Sequence, residues 1–148
     1  MNEAEITRYI TETFSGVAVL VASRENGAPE AAWGDTFFFY DPGRGLPADH
    51  RFPFATIVTK DYGEFDGASD LNREGVFRLN VGVGKETFAA LFGHEKHDAH
   101  DFMALDRIMP HPVYGKMYWV CVLNPSATTF EAVRPLLAEA YERAAGKR

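Results

Sequence analysis

A single cysteine, Cys121, stands in the 148 residues. One thiol cannot form an internal disulfide, so no disulfide framework holds this chain, and such thiol poverty fits a reducing compartment. Basic clusters are equally scarce. Fifteen Lys and Arg against 21 Asp and Glu leave a formal net charge of −6, whereas binding a phosphate backbone depends on clustered cations. The one basic group, Arg143, Lys147 and Arg148, falls at the end of a predicted helix, where cations suit the dipole. Nucleic acid is therefore not an expected partner. The longest apolar run, Val17–Ala22, is far below the roughly 20 residues that cross a bilayer. The stretch Met1-Asn2-Glu3-Ala4-Glu5 has neither the basic n-region nor the apolar h-region of a signal peptide. A cytoplasmic protein without a membrane partner is the expectation.

What is present is aromatic and apolar. With 46% hydrophobic and 14% aromatic residues, the chain carries far more than a disordered segment does, and its length suits one domain over 1–148. Asn2 with Glu5 forms a capping box ahead of Ile6, Tyr9, Ile10 and Thr13 at helical spacing, and Gly16 is placed for a left-handed cap. Strands are predicted at 17–22, 31–40, 54–59, 76–83 and 117–123, the first two joined through Asn26-Gly27. Short helices are predicted at 86–92 and around Phe102, Leu105, Ile108 and Met109. A longer one begins near Thr128, with Thr128 and Glu131 as its capping box and Pro135 as an interruption. The order implies an α+β fold: a single twisted, mainly antiparallel sheet with the N- and C-terminal helices packed on one face.

No motif assigns a reaction. The stretch His94-Glu95-Lys96-His97-Asp98-Ala99-His100-Asp101 holds ligand types favoured by divalent transition metals, with His94, His97 and His100 as the candidate ligands. Its spacing is not that of a metalloprotease, and a solvated loop is the alternative. Gly82-Val83-Gly84-Lys85-Glu86-Thr87 has the strand-turn-helix setting of a phosphate loop. It lacks the hydroxyl after its Lys and places Glu86 where phosphate would lie, leaving at most an anion at the helix N-terminus. Asp66, Asp70 and Asn72 resemble part of a calcium loop, but Ala68 and Leu71 break the pattern. Cys121, between Val120 and Val122, reads as buried and inert. The remaining candidate is a pocket formed by Arg78, Asn80, His111, Tyr114 and Trp119. In it, Pro110 and Pro112 stiffen His111, and Arg78 and Asn80 share one face of their strand.

His100-Asp101-Phe102, Ala104-Leu105-Asp106-Arg107, Met109 to Tyr114 and Trp119 to Pro125 resemble a bacterial family of short proteins catalogued as a domain of unknown function. So do Phe37 to Pro42 and Gly75 to Asn80. The chain is also distantly similar to the MmcQ/YjbR-like group. Lys116-Met117-Tyr118-Trp119 keeps that group's Lys and Trp but has Tyr118 in place of its His, and Ala140-Tyr141 keeps a late Tyr. That resemblance implies a frataxin-like (CyaY-like) α+β fold and a nucleic-acid role, which the net charge opposes. The expected function is a small non-catalytic binding domain whose partner is a small molecule or a protein. The alternative is a metal-dependent protein or small enzyme built on residues 94–101 and His111.

Overall fold

The computed structural model describes residues 1–45, 52–93, 95–96 and 99–146; Lys147 and Arg148 of the basic terminal group lie outside them. The first helix, α1 (Glu3–Thr13), starts as its sequence dictates. Glu5 N–H donates to Asn2 Oδ1 at 2.8 Å and Asn2 N–H to Glu5 Oε1 at 2.9 Å, satisfying two of the helix's orphan donors reciprocally. The helix ends at Phe14 in extended conformation, and Gly16, with φ +75°, turns the chain into the first strand two residues beyond that cap.

Four strands follow: β1 (Val17–Val21), β2 (Thr36–Tyr40), β3 (Ala55–Val58) and β4 (Arg78–Gly82). Then come α2 (Lys85–Phe92), a two-residue β5 (Met109–Pro110), β6 (Trp119–Leu123) and α3 (Ala127–Ala144). They build one six-stranded sheet in the order β1-β2-β3-β4-β6-β5, every pairing antiparallel. This is an α+β fold.

Register divides the sheet into two faces, because successive side chains alternate. Phe38, Ala55, Ile57, Leu79, Val81, Val120 and Val122 share one face with Ile6 and Ile10 of α1 and with Phe130, Val133 and Leu137 of α3, in one buried cluster. The apolar stripes of both terminal helices thus cover the same side. On the opposite face, Val58 beside Arg78, Met109 beside Cys121, and Leu123 form a second cluster under Leu71. Here the cover is the irregular chain between β3 and β4, not a helix.

Three expectations change. Strand β2 begins at Thr36 rather than Ala31, because Glu30–Ala32 forms a 3-10 turn, Trp33 Nε1–H donates to Ala28 O, and Gly34 takes φ +90°. Phe102 to Met109 is not helical. Met109 is drawn into the sheet opposite Cys121 while Leu105 stays exposed, so the apolar spacing records two separate burials. Helix α3 is capped by Ser126, whose Oγ accepts from Thr129 N–H at 3.2 Å, rather than by Thr128. Pro135 does lie inside α3, on its exposed side, where the carbonyl that loses its partner can reach water.

Ser126 is itself held from a distance: its N–H donates to Asp106 Oδ1 at 2.7 Å. That backbone bond, followed by one from Thr129, lowers the Asp106 carboxyl below its ordinary value. A carboxylate depressed in the folded state stabilises the fold above its unfolded value, about 3.9, and that contribution vanishes as pH falls through the lower folded value. Asp106→Asn keeps the acceptor and tolerates the residue's φ of +59°. Urea titrations across the acid range should show a fall in stability for the wild type that is smaller in D106N.

Candidate functional site

Arginine in the middle of an apolar strand sets the problem. Arg78 of β4 is 0% exposed, and its guanidinium cannot lose its charge at any ordinary pH. Everything around it is an acceptor. Nη1 and Nη2 donate to Asp66 Oδ1 and Oδ2 at 3.0 and 2.6 Å in a two-pronged pair. Nη1 also donates to Ser69 Oγ at 3.0 Å, and Nε to Asn80 Oδ1 at 2.8 Å. Asn80, two residues on and therefore on the same face, passes the chain of bonds to Thr56 Oγ1 of β3 at 3.0 Å.

Asp66 and Ser69 reach the sheet because their loop is clamped at its base. Asp61 Oδ1 accepts from Leu71 N–H at 2.8 Å, and Asn72 Oδ1 accepts from Asp61 N–H at 3.1 Å. Asp66 and Asn72 thus have structural partners, which disposes of the calcium-loop pattern. Farther along, Tyr62 donates its hydroxyl to the fully buried Asp35. Burial and then that carboxylate push the Tyr62 phenol well above its ordinary value, so it stays protonated.

His111 follows β5 and is 2% exposed. Its Nδ1 accepts from the N–H groups of Val113 and Tyr114, both at 3.0 Å. Nε2 lies 3.1 Å from Arg78 Nη2. All five N–H groups of the Arg78 guanidinium thus have a partner in the floor of the site.

Above this floor is a cavity of about 420 Å³. All five residues proposed for a pocket, Arg78, Asn80, His111, Tyr114 and Trp119, line it. Trp119 can lie over the sheet because its β4 neighbour is Gly82, where a Cβ would meet the indole at 3.0 Å. The mouth is apolar: Phe52, Phe65, Tyr114 and Met117 are 78%, 64%, 40% and 60% exposed, and all four line the cavity. Thr56, Tyr62 and Phe65 were not singled out from sequence, and Asp66 only as part of the broken calcium-loop pattern, not as the partner of Arg78. The one signal for Asp66 was indirect, since a buried Arg78 demands a carboxylate, and the preceding segment offers Asp61, Glu64, Asp66 and Asp70.

The other candidates part company. His94 and His97 lie outside the described residues. His100 sits 2.9 Å from Glu95 Oε2, between the rings of Phe92 and Phe102. Among the described residues no three His, Cys, Asp or Glu side chains are grouped to hold a metal. The anion position at the start of α2 is filled from within: Glu139 of α3 accepts from Gly84 N–H at 2.7 Å and from Thr87 Oγ1 at 2.5 Å. Burial pushes the Cys121 thiol up to about 12, leaving it protonated beneath the sheet. A hollow of about 470 Å³ beside α2, bounded by Phe88, Phe92, Pro110, Pro112 and Lys116, has no comparable buried polar floor. Among the described residues no helix is long and apolar enough to cross a membrane.

Removing one member of a buried ion pair strands the other, at about 3–5 kcal/mol. Arg78→Met should cost that much in urea unfolding. The double variant D66N/R78M, which leaves no charge behind, should recover at least half of it.

Comparison with curated proteins found no match, and neither did comparison with solved structures. The family model described as Family of unknown function (DUF6194) matches residues 1–148, and the chain belongs to that family.

Proposed function

We propose that this protein is a binding domain, one α+β unit over residues 1–148, whose cavity takes a small flat molecule with an apolar body and one acceptor oxygen. The observation that carries the reading is the union of an exposed apolar mouth with a buried polar floor. Binding sites for small molecules share this make-up: mostly apolar walls, a few placed polar groups, and volumes of roughly 300–1,000 Å³. Water gains little from four exposed apolar side chains gathered at one opening, and a ligand covering them regains their transfer free energy.

The floor specifies the polar end. Arg78 is paired with Asp66 through both oxygens, so its charge is met within the floor. What the floor offers is N–H from the Asn80 amide, whose nitrogen has a second hydrogen besides the one given to Thr56. A carbonyl oxygen answers that better than a cation or a phosphate. Phe37, Phe65, Tyr114 and Trp119 around the opening provide faces against which an aromatic ring can stack. Among the described residues that line the cavity there is no Ser, Cys or Lys to act as a nucleophile.

The same reading places the protein in the bacterial cytoplasm, as a distant relative of the MmcQ/YjbR-like group; Lys116, Trp119 and Tyr141 support that relationship. Tyr118, where the group has His, packs with Phe88 and does not line the cavity, so a function dependent on that His is not carried over.

Trp33→Phe leaves Trp119 as the one indole. Titrating this variant with 2-acetylnaphthalene should change its emission and raise its thermal midpoint, and naphthalene, lacking the oxygen, should bind at least about tenfold more weakly, a difference near 1.4 kcal/mol. Phe65→Asp, at an exposed position, should weaken the acetyl compound without unfolding the protein. If neither compound moves Trp119 emission, or if F65D binds as well as its parent, this cavity is not the binding site.

A further inference from the structure

The two edges of the sheet are built differently. One is β5, two residues long and ending in Pro110, whose nitrogen has no hydrogen to offer. Short strands and prolines are devices that stop another strand from adding to an edge. The other edge is β1. It has five residues, Val-Ala-Val-Leu-Val, with no charge, proline or glycine, and none of those protections.

The hydrogen-bonding phase of β1 follows from its neighbours. Asp41 N–H donates to Gly16 O and Ala22 N–H to Asp35 O, both at 2.9 Å, so even-numbered residues of this strand face β2. Phe38, opposite Val19, has its carbonyl engaged on the other side by Phe54 N–H at 2.9 Å. Val17, Val19 and Val21 therefore turn their N–H and C=O groups outward. Among the described residues, one bond is recorded on this outer edge, from Asn26 Nδ2 to Val21 O at 2.9 Å, and a carbonyl has a second lone pair.

We infer that β1 is the contact between two copies of this chain, paired antiparallel about a two-fold axis at Val19. An isologous contact must be self-complementary, and this strand is. About Val19, the outward groups of Val17 meet those of Val21 and Val19 meets itself, so each outward residue finds a partner in phase. The side chains agree, because Val17, Val19 and Val21 all lie on the helix face and form one continuous valine row across the axis. Val19 and Val21 are 38% and 53% exposed in the single chain. Beyond the strand, the exposed Arg24 follows its C-terminal end and the exposed Glu12, in the C-terminal turn of α1, precedes its N-terminal end, so antiparallel pairing brings the Arg24 end of one copy toward the Glu12 end of the other. That last turn has no basic residue of its own, and a cation there complements both the carboxylate and the helix dipole.

Sedimentation equilibrium over a range of concentrations tests this. The wild type should approach twice the monomer mass, and Val19→Lys, which sets two ammonium groups against each other, should return to the monomer with an unchanged circular dichroism spectrum. Val19→Cys provides a reading that does not depend on V19K folding. Directly opposed residues of a hydrogen-bonded pair stand about 5.5 Å apart between Cα atoms, inside the range a disulfide spans. Mild oxidation should therefore convert most of V19C to a covalent dimer, while the wild type, whose Cys121 is buried, forms none. A wild type that stays monomeric at every concentration, or a dimer that V19K leaves intact and V19C does not cross-link, overturns the proposal.

Discussion

A guanidinium sealed from water keeps its charge and must be met, donor by donor, by protein acceptors. Arg78 imposes that requirement on the non-helical side of the sheet, and much of what lies there answers it. The carboxylate of Asp66 takes two donors and Ser69 a third, so the 59–77 segment is drawn across strands that would otherwise face solvent. Asn80 takes a fourth and hands its own amide to Thr56, tying β3 to β4 through side chains as well as through the ladder. A buried ion pair adds little net stability compared with apolar packing. Its value here is specificity: it determines which loop conformation can close over the sheet, and hence where the cavity wall stands.

The two faces carry different work. The helix face is a continuous apolar core in which α1 and α3 bury Ile6, Ile10, Phe130, Val133 and Leu137. It supplies the driving force of folding, because apolar area removed from water is the dominant favourable term. That leaves the opposite face free to be polar at its centre. Phe65 and Tyr114, with ring centroids 6.2 Å apart, bring the covering loop and the β5–β6 connection together at the mouth. Such loops on a rigid scaffold are where binding residues concentrate.

Local chemistry made part of this legible in advance. The Asn2–Glu5 cap is an affair of four consecutive residues and could be read directly. The alternation Phe77, Arg78, Leu79, Asn80, Val81 gave the faces of β4, and two prolines around His111 marked a stiff turn; that these residues meet at one cavity follows from strand order. Failures arose where distant residues decide. Thr128 and Ser126 are both competent caps, and the choice falls to Ser126, whose N–H is held by Asp106, twenty residues away. Phe102, Leu105 and Met109 have helical spacing, yet Met109 gains more as an edge residue opposite Cys121. Asp66 could not be told from Asp61, Glu64 or Asp70, because only the fold of the loop brings one of them to Arg78. Nor could Glu139 be seen to occupy the N-terminus of α2 across the helix face.

Pairing through β1 would leave the two cavities independent, for a geometric reason. The cavity is centred on β3, β4 and β6, while the contact is made by the outer side of β1, with β2 between. From β4 of one copy to β4 of the other there are seven interstrand steps, about 34 Å at the usual spacing of about 4.8 Å. Each step turns the sheet by roughly 20–25°, so although both cavities lie on the same topological face, their mouths end up turned about 140–175° from one another. Val17, Val19 and Val21 also point to the helix side, away from the Arg78 network. A ligand filling one cavity thus has no direct contact through which to sense the other. Any coupling would have to pass through Phe37 and its β1 neighbour Leu20, where the backbone ladder resists distortion, so simple non-cooperative binding is what this arrangement favours.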